Sequence, residues 1–465
     1  MSTLSIFDAA REAPGQAALI DAGRELSFRD AARRCEPFTE ALLRARPRAL
    51  ALTPRADTES LLWLYAAFAS GTPVLTLHGR APAAEREALL QLASASEVPA
   101  PTDAAFSPAS LPRVSDETAA VFIPTSGSTG TPRLVELSRA AVRASARASA
   151  QNLGWQAEDR WLLCLPLAHT GGLSIVIRCL LARRTVLLFE PGADGLLARS
   201  AELSRLAEGA TLMSVVPSVL AALLDTGFVA PPALRGVLVG GAGCSPALAR
   251  RAHAAGLPLL TSYGLTESAS QVVTRRYAER FEPLPERDGV VSSGHALEGV
   301  ELRTNTDDLI ALRSASLFSR YLGDERPALD SQGWFTTTDR GSLGDGGELY
   351  VRGRIDDVIV SGGENIDPLE VEAALSTLPG VKAVCVFGTP SERFGQLVSA
   401  LVVTSDAGLA EPARLGELLK DRLARHKWPR RTLVTESLPL TASGKVDRRA
   451  CRELYDAGQA RASTA

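Results

Sequence analysis

Short apolar runs alternate with amphipathic stretches through the first half of the chain. Residues 49–52 and 74–77 predict strands, and residues 59–69 between them predict a helix. The alternation returns later, with strands predicted at 212–216, 236–239 and 259–261 and helices at 217–225 and 246–254. Strands and helices that alternate at this spacing are typical of α/β layers with mainly parallel sheets.

The pattern changes after about residue 289, where shorter strands are separated by polar turns. Strands are predicted at 300–303, 309–313, 349–351, 358–360, 383–387 and 398–403, and helices at 368–378 and 411–425. We therefore expect an α/β protein with a large, multi-layer N-terminal domain, residues 1–353, built on mainly parallel sheets. A small, mobile α+β domain is expected to follow over residues 354–465, and its last nine residues, 457–465, are expected to fray.

Composition narrows the class of protein. The chain has 465 residues, 45% hydrophobic and 22% charged, which is typical of a soluble globular protein. A net charge of −3 indicates neither nucleic acid nor an anionic membrane as a partner. The sequence shows no apolar run of about 20 residues and no secretion signal, and its six cysteines lack metal-ligand spacing. We expect a cytoplasmic protein that holds no metal by its own side chains and binds neither nucleic acid nor membrane.

The segment Phe122–Leu134 carries the strongest local signal for chemistry. A short apolar strand leads into a loop of glycine, serine and threonine. Glycines let backbone N–H groups approach an anion, and the hydroxyls add further donors, so the loop suits a polyphosphate. It is not a Walker A motif, because Pro132 stands where that motif needs glycine. Taken alone, a loop of this composition is more often a plain turn.

Four further motifs carry charged residues on or beside predicted strands. Glu267, in the motif that begins at Ser262, suits Mg²⁺ on a nucleotide, and its alternative is an acid at a helix N-terminus. Asp339 follows a strand and suits ribose hydroxyls, or only a turn. Residues 353–366 form the next motif, and Lys445 lies on a glycine-adjacent loop, where a solvated surface lysine is the alternative.

In this order and spacing, the five motifs resemble the core motifs of the adenylate-forming superfamily, which includes acyl- and aryl-CoA synthetases. The resemblance runs from about Ala17 to Arg449. Within the superfamily, the chain is most similar to o-succinylbenzoate–CoA ligases of menaquinone biosynthesis, on residues 161–174, 263–270 and 333–341 and on its short length. One departure is Arg133, where most members have lysine before a glycine. We expect this change to be tolerated, since arginine keeps a positive charge near the phosphates.

The resemblance implies an ATP-dependent ligase that uses Mg²⁺, coenzyme A and a small carboxylic acid. The acid attacks the α-phosphorus of ATP and releases pyrophosphate, and the CoA thiol then displaces AMP from the acyl-adenylate. Catalytic roles are implied for Lys445, Glu267, Thr266 and His169. Lys445 would bridge the attacking carboxylate and the α-phosphate, and Glu267 would hold the Mg²⁺ of ATP.

The resemblance also implies which residues bind each substrate. It places ATP and AMP at Thr125, Ser126, Gly127, Ser128, Thr129, Gly130, Gly241, Ala242, Gly243, Tyr263, Asp339 and Arg354. Asp356 would be the interdomain hinge, and Ser361, Gly362 and Gly363 would line the CoA channel after the small domain rotates. The acyl pocket would contain His169, Gly171, Gly172, Ser214, Ser268 and Ser270. For His169 the alternative is a histidine of the core.

Three other interpretations of the sequence stay open at this point. One is another aryl-acid ligase, of benzoate or anthranilate type, that loads CoA or a carrier protein. A second is a non-catalytic nucleotide-binding relative, against which Glu267, Asp339 and Lys445 argue. A third is a luciferase-like oxygenase. The sequence leaves open the acid, the acceptor thiol, the resting domain orientation and the oligomeric state, a homodimer included.

Overall fold

The computed structural model describes residues 3–99, 106–108, 111–125, 133–190, 198–325, 327–441 and 444–464. Helices within these residues are α1 Ile6–Glu12, α2 Phe28–Ala45, α3 Thr58–Ser70, α4 Ala83–Ala93, α5 Arg139–Leu153, α6 Thr170–Ala182, α7 Ser200–Ala207, α8 Pro217–Asp225, α9 Pro246–Ala254, α10 Pro368–Leu375, α11 Pro412–Leu419 and α12 Arg448–Thr464. Short 3-10 turns occur at Thr266–Ser268, Tyr277–Glu279, Ile355–Asp357, Ala407–Ala410 and Arg425–Lys427.

The strands follow in chain order. They are β1 Ala17–Asp21, β2 Arg24–Ser27, β3 Ala49–Leu52, β4 Val74–Thr76, β5 Ala95–Ser96, β6 Ala119–Thr125, β7 Arg133–Ser138, β8 Arg160–Leu163, β9 Thr185–Leu188, β10 Leu212–Val215, β11 Gly236–Val239, β12 Leu259–Leu265 and β13 Ser270–Thr274. The remainder are β14 Glu286–Arg287, β15 Val290–Val291, β16 His295–Ala296, β17 Val300–Thr304, β18 Leu309–Ser314, β19 Arg320–Tyr321, β20 Phe335–Leu343, β21 Leu349–Arg354, β22 Ile359–Ser361, β23 Glu364–Ile366, β24 Val381–Ser391, β25 Gly395–Thr404 and β26 Arg431–Thr435.

Two large sheets organise the N-terminal part of the chain. One has nine strands in the order β16-β13-β12-β11-β10-β8-β9-β1-β2, and the other has six in the order β19-β7-β6-β4-β3-β5. The pairs from β12 through β11, β10, β8 and β9 to β1 are parallel, as are β6, β4, β3 and β5 in the six-stranded sheet. Strands β4, β9, β10 and β11 are buried at every position, as is typical of parallel strands inside α/β layers.

Side chains of both large sheets belong to one apolar core, which also contains α3 and α6. Helix α3 is buried at every position from Ser60 to Ser70, so it lies inside this core rather than at the surface. A helix that is apolar all round belongs in such a place. Within each large sheet, the parallel strands place their carboxyl ends at the same edge. The loops that follow these strands are therefore held by a rigid scaffold.

Smaller sheets follow toward the C-terminus. Strands β17, β18, β20 and β21 form a four-stranded antiparallel sheet, and β14 pairs with β15. Strands β22 to β26 form a five-stranded sheet with its own apolar core, which includes Val371, Leu375, Val386 and Leu419. This combination confirms the predicted class, α/β layers with mainly parallel sheets followed by an α+β unit.

Two predicted helices extend beyond the observed ones. The helix predicted at 368–378 ends at Leu375, where the Ser376 and Thr377 hydroxyls donate to the carbonyls of Glu372 and Ala374, a competition typical of such residues. The helix predicted at 411–425 covers only Pro412–Leu419. Residues 457–464, part of the segment expected to fray, are helical in α12, and the fraying itself stays a prediction. Earlier in this helix, Tyr455 is 1% exposed and packs edge-on against the Phe387 ring, with 5.5 Å between the ring centroids.

Candidate active site

Three predicted adenosine-site residues meet at the carboxyl end of β12. Tyr263 is 8% exposed, and its hydroxyl donates to Asp339 Oδ2 at 2.7 Å. Asp339 on β20 is paired in register with Arg354 on β21, whose Nε lies 3.8 Å from Asp339 Oδ1. Burial raises the pKa of Asp339, and the hydrogen bond from Tyr263 and the charge of Arg354 oppose that rise. A carboxylate held in this way can accept hydrogen bonds from ribose hydroxyls, and that role for Asp339 stays a prediction.

Lys445 reaches the same edge from the far end of the chain. Its loop is closed by a hydrogen bond of 2.7 Å from Thr441 N to Lys445 O, and the Ser218 hydroxyl on α8 donates to the Gly444 carbonyl. The ammonium lies 3.4 Å from where a Cβ on Gly241 would stand. Burial lowers the pKa of Lys445, while the Asp339 carboxylate acts to raise it. A positive charge is thus held over the loop that follows β11.

Glu267 lies in the 3-10 turn Thr266–Ser268, directly after β12. Its Oε1 accepts a hydrogen bond of 2.8 Å from the Tyr321 hydroxyl. Burial and the Glu267 charge raise the pKa of Tyr321, so its hydroxyl remains a donor. Across the described ranges, no group of three or more His, Cys, Asp or Glu residues could hold a metal ion. One carboxylate together with phosphate oxygens is a donor set that Mg²⁺ accepts, so Glu267 fits an ion that arrives with ATP.

The predicted phosphate loop can be located only from its ends. Ser126, Gly127, Ser128, Thr129 and Gly130 lie outside the described residues. Thr125, the last residue of β6, pairs in register with Arg133, the first of β7, and the Thr125 hydroxyl lies 3.4 Å from the Arg133 carbonyl. The loop is therefore framed by the two strands of an antiparallel hairpin.

His169 precedes α6 as its N-cap residue. Its Nε2 is buried and has no hydrogen-bond partner among the described residues, and the His78 ring lies 5.8 Å away between centroids. Burial, with help from the charges of His78 and Lys445, lowers the pKa of His169 to about 4. The turn behind it is tight, because a Cβ on Gly172 would stand 2.5 Å from the Pro166 carbonyl oxygen. A neutral imidazole therefore faces the site at neutral pH.

Two of the three serines predicted for the acyl pocket have hydroxyl groups that are already hydrogen-bonded within the protein. The Ser214 hydroxyl accepts a hydrogen bond of 3.1 Å from Trp161 Nε1. The Ser268 hydroxyl, 0% exposed, accepts from Leu265 N and donates to the Ser270 carbonyl at 2.8 Å. Ser270 has a φ of 101° at the start of β13. Their contact with an acyl group stays a prediction.

Arg178, which the sequence analysis did not select, lines a narrow cavity next to the start of α6. Thr170, Ser174, Ile177 and Arg178 of α6 line it. Arg178 is 3% exposed and donates from Nη1 to Gln271 Oε1 at 3.2 Å, while its Nε and Nη2 have no partner within the described residues. Burial lowers its pKa to about 10. The signal in the sequence was an arginine that interrupts an otherwise apolar helix.

The predicted hinge and channel residues lie at the start of the small unit. Asp356 is in the 3-10 turn Ile355–Asp357, and its Oδ2 lies 3.9 Å from Arg354 Nη2. Ser361, Gly362 and Gly363 form the turn between β22 and β23, where Gly362 N donates to the Phe394 carbonyl at 2.9 Å. Their roles in rotation and thiol entry stay predictions.

This fold and site define an AMP-binding enzyme, and comparison with known proteins agrees. The AMP-binding enzyme family matches residues 92–309, and the AMP-binding enzyme C-terminal domain matches residues 370–445. The chain is 35% identical over 343 residues to 2-succinylbenzoate–CoA ligase of Listeria monocytogenes, covering 72% of this chain and 70% of that protein. It is 31% identical to the Bacillus pumilus ligase of the same name, with 94% of each chain covered. The chain therefore belongs to the family of 2-succinylbenzoate–CoA ligases.

Solved structures give the same result for the fold. The o-succinylbenzoate CoA synthetase of Bacillus subtilis in complex with the acyl-adenylate intermediate OSB-AMP superimposes with a TM-score of 0.84 at 26% identity, over 97% of both chains. The same synthetase with ATP and magnesium ion gives a TM-score of 0.82 at 26% identity, over 97% of this chain and 99% of the other. No helix in the described part of our chain has the length and apolar character to cross a bilayer.

Proposed function

We propose that the protein is an ATP-dependent 2-succinylbenzoate–CoA ligase of menaquinone biosynthesis. The substrate carboxylate attacks the α-phosphorus of ATP, pyrophosphate leaves, and the resulting acyl-adenylate is attacked by the CoA thiol with loss of AMP. Lys445 lies where it can neutralise charge on the attacking carboxylate and the α-phosphate. Asp339 and Arg354 would hold the ribose, Tyr263 would lie against adenine, and Glu267 would hold the Mg²⁺ that arrives with ATP. Positioning and charge neutralisation are what phosphorus-centred chemistry requires.

The choice of acid is carried by one observation, the buried guanidinium of Arg178. Two of its nitrogens have no hydrogen-bond partner in the described structure, and Arg178 lines a cavity together with Thr170, the residue that follows His169. A buried donor without an acceptor is costly, so the site favours a ligand that brings one. 2-Succinylbenzoate has an aromatic carboxylate in addition to the aliphatic carboxylate that is activated. We place the aromatic carboxylate at Arg178, and a fatty acid would leave that cation without a counter-ion.

The experiment is a pyrophosphate-release screen with 2-succinylbenzoate, benzoate, anthranilate and medium-chain fatty acids, run on the wild type and Arg178→Met. For the wild type, we expect 2-succinylbenzoate to exceed benzoate by at least about 100-fold in kcat/KM, roughly 2.7 kcal/mol. Arg178→Met should lose about 100-fold with 2-succinylbenzoate and little with benzoate, because only the former brings a second carboxylate.

Benzoate serves as the internal control in this screen, since a misfolded variant would lose activity with both acids. Comparable wild-type rates with benzoate or anthranilate would assign a different aryl-acid ligase. Equal losses for the two acids in Arg178→Met would remove Arg178 from substrate binding.

We further propose the division into residues 1–353 and 354–465, with the hinge at Asp356. Support comes from the separate apolar core of the five-stranded sheet and from the family match that begins at residue 370. A cytoplasmic location is part of the same proposal, supported by the use of ATP and CoA and by six free cysteines, five of them buried. A homodimer, like the lack of nucleic-acid and membrane partners, stays an expectation.

A further inference from the structure

Arg133 stands at the start of β7, where the resemblance predicts a lysine near the phosphates. Its guanidinium carbon lies 3.4 Å from the centre of the Tyr321 ring, and its Nη2 lies 3.1 Å from Asp324 Oδ2. A planar guanidinium can stack on a ring with its face and bind a carboxylate with its edge, and an ammonium cannot do both. The substitution therefore changes what this position contacts.

The stacked ring leads directly to Glu267. The Tyr321 hydroxyl donates to Glu267 Oε1 at 2.8 Å. The backbone fixes the same geometry, because Phe318 N donates to the Glu267 carbonyl at 2.8 Å and Leu322 N donates to the Leu134 carbonyl at 2.9 Å. Strand β19 is thus attached to β7 on one side and to the Glu267 turn on the other.

We infer that Arg133 is a positioning residue for Glu267: stacked on Tyr321 and paired with Asp324, it holds the phenol against Glu267 Oε1 and so orients the carboxylate toward the Mg²⁺ of ATP. This inference rests on the proposed function. Arg133 acts through Tyr321, and its effect is on the metal-dependent part of ATP binding. A direct phosphate contact, by contrast, would contribute to ATP binding with or without the metal ion.

The test measures ATP binding by calorimetry, without any acid substrate, first in EDTA and then over a range of Mg²⁺ concentrations. The variants are Arg133→Lys, which keeps the charge but loses the planar face, and Tyr321→Phe, which loses only the hydroxyl. Each should raise the Mg²⁺ concentration needed for half-maximal tightening by about tenfold, the weight of one hydrogen bond to a charged group. Affinity for ATP in EDTA should stay within about twofold, and the double variant should be no worse than either single variant.

Arg320→Gln is the matched control. Arg320 neighbours Tyr321 on β19 and pairs with Glu136 on β7 at 3.0 Å; the arginine is 61% exposed and the glutamate 13%. Successive side chains of a strand point to opposite faces, so Arg320 lies on the face opposite Tyr321. Because the arginine is solvated, we expect the pair to contribute little and the variant to bind Mg²⁺ and ATP as the wild type does.

Three results would overturn the inference. They are an unchanged Mg²⁺ requirement in Arg133→Lys and Tyr321→Phe, a loss of ATP affinity in EDTA, and an equal shift in Arg320→Gln. Ligation of 2-succinylbenzoate by the wild type is measured alongside. If the wild type ligates and the variants bind Mg²⁺ and ATP normally, the Arg133 inference alone fails, and if the wild type does not ligate, the proposed function fails.

Discussion

Gly241 offers a sharp test of how Lys445 is placed. Its φ is +80°, and a Cβ at this position would lie 2.9 Å from Lys445 Cε and 3.4 Å from Nζ. Carbon atoms pack at about 3.5 to 4.0 Å. Gly241→Ala must therefore displace the lysine by about 0.6 to 1 Å, without removing its charge.

The size of the effect follows from these distances. A left-handed backbone costs alanine about 1 to 2 kcal/mol, which lowers stability. A misplacement of about 1 Å in a catalytic group can cost about 100-fold in rate, equivalent to roughly 2.7 kcal/mol in the barrier. We expect Gly241→Ala to slow acyl-adenylate formation by about that factor. Thioester formation from supplied acyl-adenylate should change little, because we propose that Lys445 serves only the first half-reaction.

Two controls separate displacement of the lysine from other causes. Gly256 has a φ of +70°, and a Cβ added there would meet no described atom within 4 Å, so Gly256→Ala reports backbone strain alone. In a Lys445→Ala background, Gly241→Ala should cause little further loss if it acts through the lysine. Because Gly241 is also predicted to lie against adenine, the KM for ATP is measured with each rate.

The assay is pyrophosphate release for the first half-reaction and AMP release from synthetic acyl-adenylate for the second. Equal losses in the two half-reactions would refute the reasoning. So would additive losses in the double variant, or a change confined to the KM for ATP.

Two further variants follow from the charges in the site. Lys445→Ala should lower acyl-adenylate formation by about 100- to 1000-fold, the range for a lost electrostatic contact, and should spare thioester formation; comparable losses in both assays would contradict the assignment. His169 is half-buried, and its pKa in the folded protein is about 4 against an ordinary 6.5. The unfolded chain therefore takes up the extra proton as pH falls from about 6.5 to 4, and stability is lost over that interval. His169→Gln should flatten the dependence of Tm on pH in that window, and parallel curves for the two proteins would exclude a buried neutral histidine.

Local patterns were sufficient for most of the fold. The strands at 49–52 and 236–239 and the helices at 217–225 and 246–254 coincide with the predicted spans, because buried parallel strands and amphipathic helices differ in period and length. The length of strand β12 was underestimated. The sequence predicted residues 259–261, and the strand continues to Leu265 because its second half pairs with β13. That pairing depends on a second strand, which the residues of the first do not specify.

For the candidate site too, some features followed from the sequence and others only from the tertiary structure. The sequence by itself determined which residues are candidates to bind a nucleotide, because loops that bind phosphate and ribose use short, local combinations of glycine, hydroxyl and carboxylate. Only the tertiary structure decided that Lys445 lies over Gly241 and that Arg133 stacks on the Tyr321 bonded to Glu267. It also decided that Arg178 is buried with two nitrogens that find no partner among the residues described. The first two features are contacts between residues that are far apart in the sequence. The third depends on the lack of an acceptor near a buried guanidinium, and burial is a property of the packed molecule rather than of any segment.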